Sequence, residues 1–224
     1  MDERTANRPR GRRGPAPGTS RGPRLPRAER EAQLIQVAEE IFSVHGYHGT
    51  TMEAVAEAAS VTKPVIYDLF GSKDGLLAAC LAKTRAELFA LLREAWRGLT
   101  VNDLEAGFRI GILTFFRFID THAALWHLIA VEGPSSPGAY ETMQETRLLH
   151  AREIAATFNS LPSLSKIPPV FVEGLSEGVI GACERVAAWR STRPDVTAEF
   201  ATELVMMMTW HGMSQFVEQF TASP

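Results

Sequence analysis

Between Thr50 and Gly75 the chain reads TTMEAVAEAASVTKPVIYDLFGSKDG, and few arrangements satisfy that stretch. Thr50 and Glu53 have the spacing of a capping box, which predicts a helix start. Met52, Val55, Ala56 and Ala59 follow at i, i+3, i+4 and i+7, one apolar stripe turned inward. Ala59-Ser60-Val61 breaks that pattern, and Thr62 is placed to cap a second helix with Lys63 and Pro64 in its first turn. Val61 and Ile66 then have the N′ and N4 spacing of a hydrophobic staple. Gly71 suits a left-handed helix stop, and Ser72 suits the next cap. Two capped helices of under ten residues around a tight turn describe a helix-turn-helix, the motif that sets a helix in a DNA groove.

The run from about Glu29 to Leu81 resembles the DNA-binding domain of TetR-family transcriptional regulators. The resemblance rests on His45-Gly46-Tyr47, Thr50-Thr51, Val55-Ala56, Ala58-Ala59, Val61-Thr62-Lys63, Tyr67, Phe70 and Gly71-Ser72-Lys73. Ser60 stands where the family often has Gly, Pro64 where Gly is common, and Asp68-Leu69 where an aromatic or His pair is frequent. The resemblance implies an all-α homodimer that binds double-stranded operator DNA and answers to a small-molecule effector. It also implies that Thr51, Thr62, Tyr67 and Lys73 hold phosphates. From position alone, Lys63 at the helix start reaches a base edge or phosphate, and Pro64 and Val65 offer apolar contact to a thymine methyl. Backbone donors at the helix starts near Thr50 and Ser72 would add to the phosphate contacts.

The formal net charge of −3 suits nucleic acid badly until it is divided. Residues 1–30 carry nine Arg and net +6, residues 31–80 net −5, and the remainder net −4. Residues 1–27, rich in Arg, Gly and Pro, lack the apolar surface to offset ordering entropy and are expected to be a disordered arm. Arg10, Arg12 and Arg13 within it suit a narrow, electronegative minor groove. A passive solubilising tail is the alternative.

Helical periodicity continues on both sides. Leu34, Ile35, Ala38, Ile41, Phe42 and His45 share one face of a first helix. A long helix is expected from Ser72 to about Arg97, roughly 37 Å at 1.5 Å per residue, with Leu77, Leu81, Thr84, Leu88, Leu91 and Ala95 inward. Gly/Pro/Ser punctuation then delimits helices over 103–120, 122–131, 138–160, 168–190 and 196–220. The expected organisation is an arm over 1–27, a DNA-binding domain over 28–75 and a helical ligand-binding and dimerisation domain over 76–224. Within the last, Arg109, Phe115, Phe118, Trp126, His127, Met143, Arg147 and Glu177 are candidates to line an apolar or aromatic ligand's cavity, with ordinary core as the alternative for each. Gly174, Gly178 and Ala182 recur every four residues, a smooth ridge that with Met207, Trp210 and His211 suits a subunit interface.

No Gly-x-Ser-x-Gly elbow, phosphate-cradling glycine loop, Cys-x-x-Cys or metal-spaced His pair is present, so no enzyme chemistry, metal or cofactor is expected. No apolar run approaches 18 residues, no membrane partner is expected, and the cytoplasm is the expected compartment. The reading is a ligand-responsive repressor. A helical small-molecule-binding protein without DNA binding is the alternative.

Overall fold

The computed structural model describes residues 25–97, 104–127, 137–159 and 167–221, and every regular element among them is an α-helix. In chain order these are α1 (Arg27–Gly49), α2 (Met52–Ala58), α3 (Lys63–Phe70), α4 (Lys73–Ala95), α5 (Leu104–Thr121), α6 (Ala123–His127), α7 (Pro137–Asn159), α8 (Pro169–Arg190) and α9 (Ala198–Thr221). Expected boundaries hold to within two residues from α5 onward. The exception is the expected 122–131 helix, whose second half lies outside the described residues.

The first cap differs from the expectation. Thr51, not Thr50, is the N-cap of α2, and its hydroxyl accepts from Ala54 N at 3.1 Å. Thr50 is buried, donating to Gly46 O at 2.7 Å, because Gly46 at φ 69° turns the end of α1 back over it. Glu53 therefore completes no capping box and pairs instead with Lys63. Thr62 has the extended backbone of an N-cap but its side chain makes no cap hydrogen bond. Ser72 caps α4 as expected, accepting from Gly75 N at 3.0 Å. Gly71 ends α3 at φ 74°.

Leu34, Ala38 and Phe42 of α1 meet Val55, Ile66, Leu76, Leu77, Cys80 and Leu81 in one apolar core. Truncating residues as fully buried as Ile66 typically costs about 2–5 kcal/mol, so this packing sets which face of α3 turns outward. A polar clamp closes the same unit. Lys73 Nζ donates to Tyr47 O at 2.8 Å and Thr50 O at 3.2 Å while lying over the Tyr47 ring, and the Tyr47 hydroxyl pairs with Asp74.

α4 runs unbroken through position 75, where a domain boundary was expected. Its first two turns belong to the head's core, while Leu88, Phe89 and Leu92 pack with Phe118 in the second half of the molecule. Leu91, expected on the inward stripe, is 49% exposed, since Phe89 and Leu92 take the buried side. Beyond α4, Phe108, Ile112 and Phe116 of α5 pack on Cys183, Val186 and Ala187 of α8 and on Ala201, Val205 and Met206 of α9. Arg190 ties the turn between α8 and α9 to the end of α5. Its Nε donates to Val196 O at 2.7 Å, and its two terminal nitrogens grip Asp120 at 2.6 and 2.9 Å. Both cysteines are free and buried, which pushes each thiol up to about 12.

Candidate nucleic-acid interface and cavity

The outward face of α3 carries Lys63, Pro64, Val65, Tyr67 and Asp68, all exposed, while Ile66 between them is buried. Thr51 and Thr62 are exposed beside it. Of the sequence-chosen contacts, Thr50 is withdrawn from this surface by burial. Lys73 remains near it but spends two donors on the α1 carbonyls, a clamp that the sequence signals only as a matching motif. Arg10, Arg12 and Arg13 lie outside the described residues.

Carboxylates stand among the exposed cations. Glu53 and Lys63 form an ion pair across the turn, and this hydrogen bond lowers the carboxyl's pKa and raises the ammonium's. Asp68 lies 3.7 Å from Arg27 at the start of α1. Glu53 and Asp68 are thus each matched by a basic side chain from another helix.

The second half is hollow. A cavity of about 160 Å³ lies between α4, α5, α6, α7 and α8. Four of the expected lining residues reach it: Phe115, Phe118, Trp126 and Arg147. Arg109 does not, because it sits on the outer side of α5, paired with Glu203 of α9 and with Glu105 at 3.1 Å. Glu177 acts one layer back, 3.5 Å from Arg147. The side chains of His127 and Met143 are outside the described residues. The sequence reading missed Phe89, Trp96, His122 and Glu184, which also line the space. Phe89 on α4 and Trp96 just past its end were readable as core only, since a cavity wall and a core position share one periodicity.

Gly174 and Gly178 are exposed on α8 with open space where a Cβ would stand, and Ala182 is half-buried. Met207 and Met208 of α9 are 71% and 61% exposed, and His211 is exposed too. Trp210 departs from the expected interface. Its ring packs 5.7 Å from Phe108 within the chain's own core.

These features define a helix-turn-helix protein whose reading head shares one long helix with a hollow helical domain. Residues 34–80 match the profile of the family described as bacterial regulatory proteins, tetR family. The chain is 41% identical over 125 residues to the HTH-type transcriptional activator FasR of Mycolicibacterium smegmatis, a stretch covering 56% of each protein. It is 28% identical over 67 residues to the HTH-type transcriptional regulator UidR of Escherichia coli, 30% of this chain and 34% of that one. The chain thus spans about half, or less, of these curated relatives' length. A crystal structure of a TetR-like transcriptional regulator from Rhodococcus sp. RHA1 superposes with a TM-score of 0.59 at 28% identity, over 85% of this chain and 99% of that one. A second Rhodococcus structure, at 16% identity and TM-score 0.67, shares the fold. Residues 34–80, which hold α2, the turn and α3, thus match the DNA-binding unit of the TetR family, and the helical fold as a whole is similar to TetR-like regulator structures.

Proposed function

We propose that this protein is a homodimeric transcriptional regulator of the cytoplasm that binds operator DNA through α3 and leaves it when a small apolar or aromatic molecule fills the cavity. The observation that carries this reading is the capped α2–turn–α3 unit, whose buried Ile66 turns Lys63, Pro64, Val65 and Tyr67 outward together. Thr51, Thr62 and Tyr67 are the proposed phosphate contacts, joined by a remaining donor of Lys73. The exposed glycine ridge of α8 and the exposed Met207 of α9 support pairing with a second copy. Two recognition helices then read major grooves about 34 Å apart.

Coupling has a physical route. α4 spans from the head's core to the cavity wall. On α6, Leu125 is buried with the head's core while its neighbour Trp126 lines the cavity. A ligand that favours one setting of these two helices shifts the population between DNA-competent and incompetent geometries. Decisive release needs several kcal/mol of differential affinity.

The repressor sign is the primary reading. An activator is the second, favoured by the name of the FasR relative. A gel shift with the gene's own upstream region tests the DNA reading, and a promoter fusion with and without the protein tests the sign. A specific shift with lower reporter output is expected. No shift at micromolar protein would leave a small-molecule-binding protein without DNA binding. The arm is part of the proposal, with Arg10, Arg12 and Arg13 on phosphates or in the minor groove. Deleting residues 1–27 is expected to weaken operator binding at least tenfold and to flatten the salt dependence, each lost phosphate contact removing about 0.9 from the log–log slope. Equal affinity and slope would make the arm passive.

A further inference from the structure

The cavity is drawn out along α4. Its wall on that helix runs from Leu81 through Leu88 and Leu92 to Trp96 just past the helix end, a span of roughly 22 Å at 1.5 Å per residue. On α5 it runs from Phe108 through Phe115 to Ile119, roughly 16 Å by the same rise. A compact apolar cavity of about 150 Å³ holds one aromatic ring. Here about 160 Å³ is spread over a longer path, so the section is narrow. A second apolar space of about 80 Å³ lies between α5, α7, α8 and α9, walled by Leu104, Val172, Leu175, Trp210 and Met213. Ser176 is on this wall too, and its hydroxyl is spent on Val172 O at 2.8 Å. Phe108, Ile154, Val179 and Ile180 line both spaces. The partition is therefore built of side chains from three helices, and side chains change rotamer on binding more readily than backbone moves.

Shape and charge then select a ligand class. A rigid, compact molecule can occupy one space or the other but not both. An unbranched alkyl chain adjusts at every bond, so it can follow the narrow path and continue past the partition, burying apolar surface in each space. Both arginines on the first wall already face carboxylates: Arg85 is 3.2 Å from Glu153, and Arg147 is 3.3 Å from Glu184 and 3.5 Å from Glu177. Glu184 is itself on that wall. An anionic group would meet it there, so the walls favour an uncharged chain.

We propose that the ligand is an uncharged molecule with an unbranched alkyl chain, which lies along the first space and passes between Phe108, Val179 and Ile180 into the second; this rests on the reading of the first space as the effector site. The probes are the primary alcohols from hexan-1-ol to dodecan-1-ol, with 1-adamantanol and decanoate, titrated calorimetrically into the full-length protein. Affinity is expected to rise about fourfold per added CH₂ from hexan-1-ol to decan-1-ol, the fold-change for ~0.8 kcal/mol. Decan-1-ol is expected to bind about tenfold more tightly than 1-adamantanol, which holds as many carbons in a compact cage, and about tenfold more tightly than decanoate. Ser176→Leu fills the second space from its own wall. There the gain should stop by octan-1-ol, with hexan-1-ol held within about twofold of wild type. Indole N–H spectra of the wild type give a second readout: decan-1-ol should move the Trp210 resonance, identified by its loss in Trp210→Phe, and hexan-1-ol should not. A cage that binds as tightly as the chain, a series whose gain stops at hexan-1-ol, an unmoved Trp210 resonance, or an unchanged series in a folded Ser176→Leu protein would each overturn the two-space chain. Decanoate binding most tightly would overturn its uncharged character. Failure of every probe to bind would overturn the effector-site reading itself.

Discussion

Ser60, in the turn between α2 and α3, is a non-glycine residue with φ 54°. The left-handed region costs an L-residue about 1–2 kcal/mol, because Cβ approaches the following carbonyl oxygen. Glycine at this position removes that cost but adds about 0.5–1 kcal/mol of unfolded-chain entropy. Ser60→Gly is therefore expected to stabilise the protein by about 0.5–1 kcal/mol. For a chain of this size that is about 1–4 °C in melting temperature. Valine moves in the opposite direction, since a β-branched residue in this region is a true outlier. Ser60→Val should lower the melting temperature by several degrees and, by opening the turn that aims α3, weaken operator binding more than the stability loss alone would. Thermal unfolding followed by circular dichroism, with operator anisotropy at 25 °C, measures both. A Ser60→Gly protein that melts at or below wild type, alongside an unchanged Ser60→Val protein, would refute the left-handed assignment and the strain argument together.

Three further outcomes are expected. Tyr67→Ala should weaken operator binding at least tenfold with little change in melting, whereas Glu53→Gln, which frees Lys63 and removes an anion, should tighten it about threefold at low salt; anisotropy titration distinguishes the two signs. Gly178→Arg should give monomers or aggregates by light scattering, because the side chain would stand in the open space on the α8 ridge; a stable soluble dimer would move the interface elsewhere. Because burial raises Glu184 above the usual carboxylate range, the folded state holds its proton more tightly than the unfolded chain. The stability from that protonation is complete below the ordinary carboxylate pKa and lost as pH rises through the folded value, so Glu184→Gln should gain more in melting temperature over wild type at pH 7 than at pH 4, and an equal or reversed gain would refute it.

How legible the protein was in its sequence follows from the range of the forces involved. The head's signals are local. Ser72 reaches three residues to its partner N–H, Gly71 ends its own helix, and Val61 and Ile66 are five residues apart, so spacing alone locates α2, α3 and their exposed side. The errors there are also local, and one residue deep. Thr50 and Thr51 are chemically equivalent as caps, and only the reversal at Gly46, which folds Thr50 inward, decides between them. The Lys73 clamp was not legible because its carbonyl acceptors lie 23 and 26 residues away. The cavity was legible only by half for the same reason. Periodicity says that Phe115 and Phe118 turn inward but not whether they meet side chains or open space, since that depends on how five helices converge. Arg109 and Arg147 show the limit most clearly. Both have acids nearby in space, yet the acids of Arg109 lie on the outer side of α5 and α9, while those of Arg147 lie on α8, Glu184 lining the cavity and Glu177 behind it. Sequence alone could not separate a surface ion pair from a charge built into the cavity wall, because which of the two forms depends on how separate helices meet.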